Sequence, residues 1–218
     1  MVLKRKSAVN RIVLTMIYSD FLIISAPGLL APIYAIFLTG QISGGTISTV
    51  GFATTIFWVV KSILQIPVAR YVDRTRGERD DYAFLVAGSA LASATPLLYY
   101  FFAKEVWQVF LFEAVNGAAY AMMVPTYLAI FTRHIDKFQE GMEWTLHSNA
   151  VGIGFALAAS IGGLMAERYG FNVIFVMVSA IMFLGTVMLL AIRRDITESD
   201  RNNSHWREWD ARRAKTDR

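Results

Sequence analysis

The sequence predicts an all-α membrane protein, a bundle of six transmembrane helices. Of its 218 residues, 55% are hydrophobic and only 17% are charged, and the mean hydropathy is +0.43. Lipid must therefore be the main solvent of this chain. The apolar residues also fall into six stretches, each reaching the roughly 20 residues that a helix needs to cross a hydrocarbon core.

These stretches define a polytopic domain over residues 13–192, preceded by a basic segment, 1–12, and followed by a basic tail, 193–218. Each must be helical because a helix pairs its backbone amides locally, whereas unpaired amides are costly in lipid. The approximate bounds are 13–38, 48–68, 83–102, 107–132, 145–166 and 173–192. We expect a hinge in the first helix at Pro27-Gly28 and an interfacial helix in the tail at 205–215.

The basic residues predict the side of the membrane on which each end lies. Lys and Arg accumulate in cytoplasmic connectors, and 18 of the 21 lie at the two ends or in the second and fourth connectors. Only Lys104 and Arg168 fall on the other side, and Lys61 lies inside a helix. We therefore expect a multi-pass protein of the cell membrane with both ends cytoplasmic. Topology explains the basic charge, so no nucleic-acid partner is expected.

Residues and motifs that the sequence lacks exclude several kinds of chemistry. The chain has no cysteine, which excludes disulfides, thiolate catalysis and cysteine-ligated zinc. It also lacks the Gly-x-x-x-x-Gly-Lys-Ser/Thr loop that binds nucleotide phosphates. No cofactor or metal is expected.

Three ionisable side chains lie within predicted transmembrane helices: Asp20, Lys61 and Glu113. Such groups are costly in a membrane and typically mark ion or substrate paths. Asp20 and Lys61 lie at equal depth, each roughly 13 Å from a basic anchor by helical rise, so we expect them to be able to pair. Alternatively, that ion pair only fastens helix 1 to helix 2. Glu113 lies nearer the other side without an expected partner, and an unpaired carboxyl favours its protonated form, as proton coupling requires.

Polar residues extend these positions into stripes along two helices. Helical spacing places the members of each stripe on one face of their helix. The stripe of helix 4 consists of Glu113, Asn116, Tyr120 and Tyr127, and that of helix 2 consists of Thr54, Trp58, Lys61 and Gln65. Stripes of this kind face a bundle interior or a watery cavity. The predicted path is lined by Asp20, Lys61, Glu113, Asn116, Tyr120, Tyr127, Trp58 and Gln65.

The connector between helices 2 and 3 resembles that of major facilitator superfamily transporters. The family pattern is G-x-x-x-D-[RK]-x-G-[RK]-[RK], and this sequence reads Ala69-Arg-Tyr-Val-Asp73-Arg74-Thr-Arg-Gly77-Glu-Arg79. Ala69 replaces the first glycine, and one extra residue precedes Gly77. The resemblance implies that Asp73, Arg74 and Gly77 help to latch a cytoplasmic gate.

Helix 5 carries a seam of small residues, Gly154, Ala158 and Gly162, with Gly163 beside it. The seam is similar to the pattern G-x-x-x-G-P-x-x-G-G of the same family, although the proline is missing. Small residues at every fourth position let two helices approach closely. The seam is either static packing or a sliding contact between the halves of a transporter.

The family usually has twelve helices in two halves, and this chain resembles the N-terminal half. Such halves are related by an axis along the membrane normal. Two copies of this chain, or one copy with a partner half, could therefore enclose a central cavity. We therefore expect a secondary-active transporter of a small-molecule substrate, proton-coupled through the buried carboxyl groups, that works in the lipid bilayer as a parallel homodimer by alternating access. The alternative is a non-transporting or truncated membrane subunit that needs a partner half.

An intramembrane serine hydrolase is a third interpretation. Ser89 and His147 are the pair of residues that could serve it. The Gly-x-Ser-Gly turn of such enzymes is absent, however, and we expect His147 to mark a helix end. No enzymatic activity is therefore predicted.

Overall fold

The computed structural model describes residues 11–74, 78–136 and 138–198, and these residues form α-helices without a β-strand. The helices are α1 (Arg11–Ser25), α2 (Tyr34–Gln41), α3 (Ile47–Arg74), α4 (Glu78–Phe102), α5 (Val106–His134), α6 (Glu140–Tyr169) and α7 (Phe171–Leu190). Within these described ranges, six segments are long and apolar enough to cross a membrane, and the last continues past α7 to Glu198. The predicted six-helix transmembrane bundle is confirmed. Gly77, most of the basic N-terminal segment and the predicted tail helix 205–215 lie outside the described residues.

The first crossing is broken, whereas the sequence predicted one helix over residues 13–38. α1 ends at Ser25, a short 3₁₀ turn covers Ala26–Leu29, and α2 begins only at Tyr34. The break includes Pro27 and the expected hinge, and proline cannot continue the hydrogen-bond ladder of a helix. The amides of Leu30 and Ala31 both donate to the carbonyl oxygen of Pro27, at 3.0 and 3.1 Å. These bonds satisfy backbone groups that lipid would leave unpaired.

Two helices begin well before the residues that hydropathy predicted. α4 begins at Glu78 and α6 at Glu140, compared with predicted starts at 83 and 145. The first turns of both helices carry acidic side chains, which the positive end of a helix dipole stabilises. The polar flanks of a transmembrane helix are therefore helical here, although hydropathy alone does not detect them.

The packing leaves α3 and α6 on the outside of the bundle. α4 packs against α5 and α7, and α1 packs against α6 and α7, while α3 packs mainly against α5. Only 11% of the residues in the most apolar window of α3 and of α6 are buried, compared with 44–61% in the other four crossings. Each of these two helices is therefore supported on one side and exposes a long face on the other.

Candidate functional site

The break in the first crossing places a tyrosine against a buried glutamate of α5. The hydroxyl of Tyr34, at the start of α2, donates to Oε1 of Glu113 at 2.6 Å. The hydroxyl of Tyr99 on α4 donates to the same oxygen at 2.7 Å, and the two hydroxyls lie 2.9 Å apart. Three elements therefore meet at one carboxyl group, whose residue is 9% exposed.

These two phenols correct the expectation that Glu113 has no partner. Among the residues that the structure describes, no basic side chain forms an ion pair with it. Its partners are neutral hydroxyls, which can stabilise the carboxylate by hydrogen bonding and can also remain in place when the carboxyl is protonated. Glu113 can therefore be ionised or protonated while it keeps the same two hydrogen-bond partners.

Glu113 also borders an open groove between α3 and α5, with a volume of about 320 Å³. The groove brings together most of the side chains that the two polar stripes predicted, and it adds Pro27 and Tyr34 from the broken crossing. Its lining residues are Pro27, Tyr34, Thr54, Phe57, Trp58, Lys61, Glu113, Asn116 and Tyr120. Aromatic rings, one cation and one carboxyl thus face the same space within the membrane.

A glycine sets the width of this groove. A Cβ atom on Gly117 would lie 2.7 Å from the carbonyl oxygen of Phe57. Only glycine therefore lets α5 approach α3 so closely, and the contact is continued by the ring of Tyr120, which meets that of Phe57 edge to face at 5.4 Å. The backbones of the two helices thus hold the groove in shape.

Lys61 does not pair with Asp20, and that expectation is wrong. The ammonium nitrogen of Lys61 lies 4.4 Å from the ring centroid of Trp58, one turn earlier on α3. A cation over an indole face is favourable where water is scarce. Lys61 therefore stays in the groove beside an aromatic partner of its own helix.

Asp20 instead lies close to His147 on α6. Nε2 of His147 is 2.6 Å from Oδ2 of Asp20, although 127 positions separate the two residues. The rings of Tyr127, Phe131 and Trp144 surround the imidazole, with centroids 5.4, 5.6 and 5.7 Å from it. His147 lies inside α6, so the prediction that it marks a helix end is wrong.

Two predicted path residues lie away from the groove. Tyr127 is buried, and its hydroxyl has no hydrogen-bond partner among the described residues. It belongs to the cluster around His147. Gln65 lies on α3, one turn beyond Lys61, and is half-buried. The predicted path thus divides into a groove at Glu113 and a separate Asp20–His147 cluster, and the roles of these residues in transport remain predictions.

The predicted gate residues Asp73 and Arg74 are the last two residues of α3, and both are exposed. A buried charge cluster, which the sequence did not reveal, lies at the same end of the bundle. Asp81 on α4 is fully buried and forms an ion pair with Arg133 on α5. A second contact connects the same two helices, since Nε2 of His134 on α5 lies 3.6 Å from Oε2 of Glu78 on α4. The gating role of Asp73 and Arg74 remains a prediction.

The small-residue seam of α6 packs against the first crossing of the same chain. A Cβ atom on Gly162 would collide with Leu29, and one on Gly154 would collide with Phe21 and Ser25. Ala158, between the two glycines, lies beside Gly28. In this structure the seam packs within one chain, and its use as a sliding contact between two halves stays a prediction. A Cβ atom on Gly163 would meet nothing within 4 Å, so Gly163 is not part of the seam.

The sequence model of the Major Facilitator Superfamily matches residues 16–216. The chain belongs to this family. The multidrug resistance protein MdtG of a Rahnella species is 27% identical over 120 residues, which are 54% of this chain and 28% of that protein. An uncharacterized MFS-type transporter of Methanocaldococcus jannaschii is 26% identical over 148 residues, 68% of this chain and 36% of that protein.

A solved structure supports the same fold. The POT family transporter PepTSo matches with a TM-score of 0.71 at 14% identity, covering 84% of this chain and 37% of that one. The chain thus spans about a third of the length of the relatives that it matches. It is a multi-pass membrane protein of a transporter family. Of the two residues that a serine hydrolase would use, Ser89 lies fully buried on α4 and its hydroxyl has no hydrogen-bond partner among the described residues, while His147 contacts Asp20.

Proposed function

We propose that this chain is one half of a secondary-active transporter that moves a small organic solute by alternating access, driven by protons. The observation that carries the proposal is the groove between α3 and α5, where Glu113, Lys61 and Asn116 line one open space. Ionisable groups in contact with a cavity inside the membrane typically mark a transport path.

The surroundings of Glu113 support a role in proton coupling. The hydroxyls of Tyr34 and Tyr99 both donate hydrogen bonds to Oε1 of Glu113. The carboxyl group can accept these bonds when it is ionised and also when it is protonated. The carboxyl also borders the open groove, from which a proton can arrive. A carboxyl with neutral partners changes charge without breaking an ion pair, so protonation can be linked to solute binding.

The composition of the groove indicates the class of solute. The exposed rings of Trp58 and the partly exposed rings of Phe57 and Tyr120 offer apolar faces, while Asn116 and Glu113 offer polar atoms. Pockets of this mixture bind amphipathic organic molecules, and the carboxyl favours those with a positive charge. The name of the Rahnella relative, a multidrug resistance protein, agrees with such a solute.

The exposed faces of α3 and α6 support a second half. Ser62 is exposed on α3, and Ser148 and Asn149 are exposed on α6. Lipid is a poor environment for such groups. α6 also exposes a row of small residues, Gly152, Ala156 and Ser160, which we call the small-residue stripe. Its spacing suits close helix packing.

We take the second half to be another copy of this chain, arranged in parallel in the cell membrane with both ends cytoplasmic. The positive-inside distribution of Lys and Arg supports that orientation. A two-fold axis along the membrane normal would place two copies of the groove around one cavity. If a different chain supplies the second half, purified protein will remain monomeric in lipid.

Transport by reconstituted protein tests the proposal. Proteoliposomes carrying the wild-type chain are expected to move ethidium, an amphipathic cation, when a pH gradient is imposed. Glu113→Gln keeps the size of the side chain and is expected to abolish the response to the gradient, because glutamine does not titrate. Glu167→Gln changes an exposed acid at the end of α6 and serves as the matched control. Full gradient-driven transport by Glu113→Gln would contradict the proton role.

A further inference from the structure

A second concave site lies outside the transport groove, between α4 and the segment that follows α7. It has a volume of about 660 Å³ and opens at the end of the bundle where α4 begins. Three exposed arginines stand at its mouth, and we call them the arginine rim: Arg79, Arg193 and Arg194. Among the described residues that line the mouth, Glu198 is the one acid against these three arginines.

The deeper part of the groove is apolar. Its α4 wall carries three small residues at steps of four and three, Ala83, Ala87 and Ala90, which we call the alanine row. Val86, Leu190 and Ile196 complete this part. From Arg79 to Ala90 the helix rises roughly 16 Å, which is about half the ~30 Å thickness of a hydrocarbon core. Measured from the arginine rim, the groove is thus about as deep as one leaflet, and its alanine row accounts for roughly 10 Å of that depth.

Hydrogen bonds between α4 and α7 hold this groove open in a fixed shape. The hydroxyl of Tyr82 donates to the carbonyl oxygen of Leu189 at 3.1 Å. Farther along the helices, the hydroxyl of Ser179 donates to the carbonyl oxygen of Ser93 at 2.6 Å. A ligand therefore meets a preformed site, which lowers the entropic cost of binding.

We propose that this groove binds one anionic diacyl phospholipid. The arginine rim holds its phosphate, and the alanine row receives an acyl chain. Guanidinium groups bind phosphate through two parallel hydrogen bonds, and basic pockets between transmembrane helices at the membrane surface suit anionic head groups. A soluble phosphate compound would use only the rim and would leave the apolar part unfilled.

Native mass spectrometry of the full chain in detergent tests this site. Dioleoyl phosphatidylglycerol is titrated against dioleoyl phosphatidylcholine, which has the same acyl chains and no net charge. We expect the anionic lipid to bind at least tenfold more tightly. Arg193→Gln should weaken its binding about fivefold, and Arg79→Gln together with Arg193→Gln more than twentyfold. Arg70→Gln, an exposed arginine on α3, should have no effect.

Two further experiments distinguish a bound phospholipid from other ligands of this groove. Ala87→Phe fills the groove from an exposed position, so it should lower the affinity for phosphatidylglycerol while the arginine rim remains intact. Glycerol 1-phosphate, a head group without acyl chains, should compete only at concentrations at least a hundredfold higher. Equal binding of the two lipids, unchanged binding by the double arginine variant, or effective competition by glycerol 1-phosphate would each overturn the proposal.

Discussion

Nε2 of His147 lies 2.6 Å from Oδ2 of Asp20, so this contact joins α6 to α1 within the membrane-spanning part of the chain, in addition to a longer hydrogen bond of 3.4 Å from the hydroxyl of Ser25 to the carbonyl oxygen of Val151. The side chains of His147 and Asp20 are only 17% and 10% exposed. α6 is otherwise weakly buried and is held mainly by the first crossing, on which its glycine seam packs. This contact therefore orients a helix that has few other supports.

A double-mutant cycle should measure the strength of this contact. Asp20→Asn and His147→Gln each replace one partner of this contact by a side chain that does not titrate, and both should lower the free energy of unfolding. Because the groups touch in a poorly hydrated place, we expect a coupling energy of ~1–2 kcal/mol. Unfolding in mixed micelles of dodecyl maltoside and sodium dodecyl sulfate provides the measurement.

The control for this cycle pairs Asp20→Asn with Ser148→Ala, since Ser148 is an exposed neighbour of His147 on α6. Those two effects should add within ~0.5 kcal/mol. If Asp20→Asn and His147→Gln are equally additive, the contact does not bind α6 to α1.

Two glycines of α6 should respond in opposite ways to the same substitution. Gly162→Ala places a Cβ atom 2.7 Å from Cα of Leu29, a backbone atom that cannot move freely, and should cost ~1–3 kcal/mol of stability. Gly152→Ala meets nothing within 4 Å and should gain up to ~1 kcal/mol, because alanine favours the helix. The same unfolding assay compares them. Equal effects would show that the seam does not restrict the approach of the two helices.

Much of this architecture could be predicted from the sequence because hydropathy and charge follow directly from the bilayer. The groove was also predictable in part, since Lys61, Trp58, Glu113 and Asn116 lie on stripes whose helical spacing puts each set on one face. Helical periodicity is reliable inside a long regular helix.

The remaining contacts could not be predicted because they depend on irregular geometry. Tyr34 contacts Glu113 from the first residue of α2, which begins after the break at Pro27. Hydropathy predicts the start of this helix at 145 and therefore places His147 near a helix end, whereas α6 begins at Glu140. Counting helical rise from Glu140 would place His147 roughly 10 Å along the helix, well away from its end.

Substitutions in the small-residue stripe of α6 and among its large exposed residues should differ in their effect on the fraction of dimer. The small-residue stripe permits a close approach by another helix, whereas Ile153, Leu157 and Leu164 are large, apolar and suited to lipid. Ala156→Trp should therefore lower the fraction of dimer at least tenfold in liposomes at a fixed ratio of protein to lipid, without changing the thermal stability of the monomer. Leu164→Trp should leave the dimer fraction unchanged. Single-molecule photobleaching counts the copies per complex. If Ala156→Trp dimerises as well as the wild type, α6 does not contact the second half through this stripe.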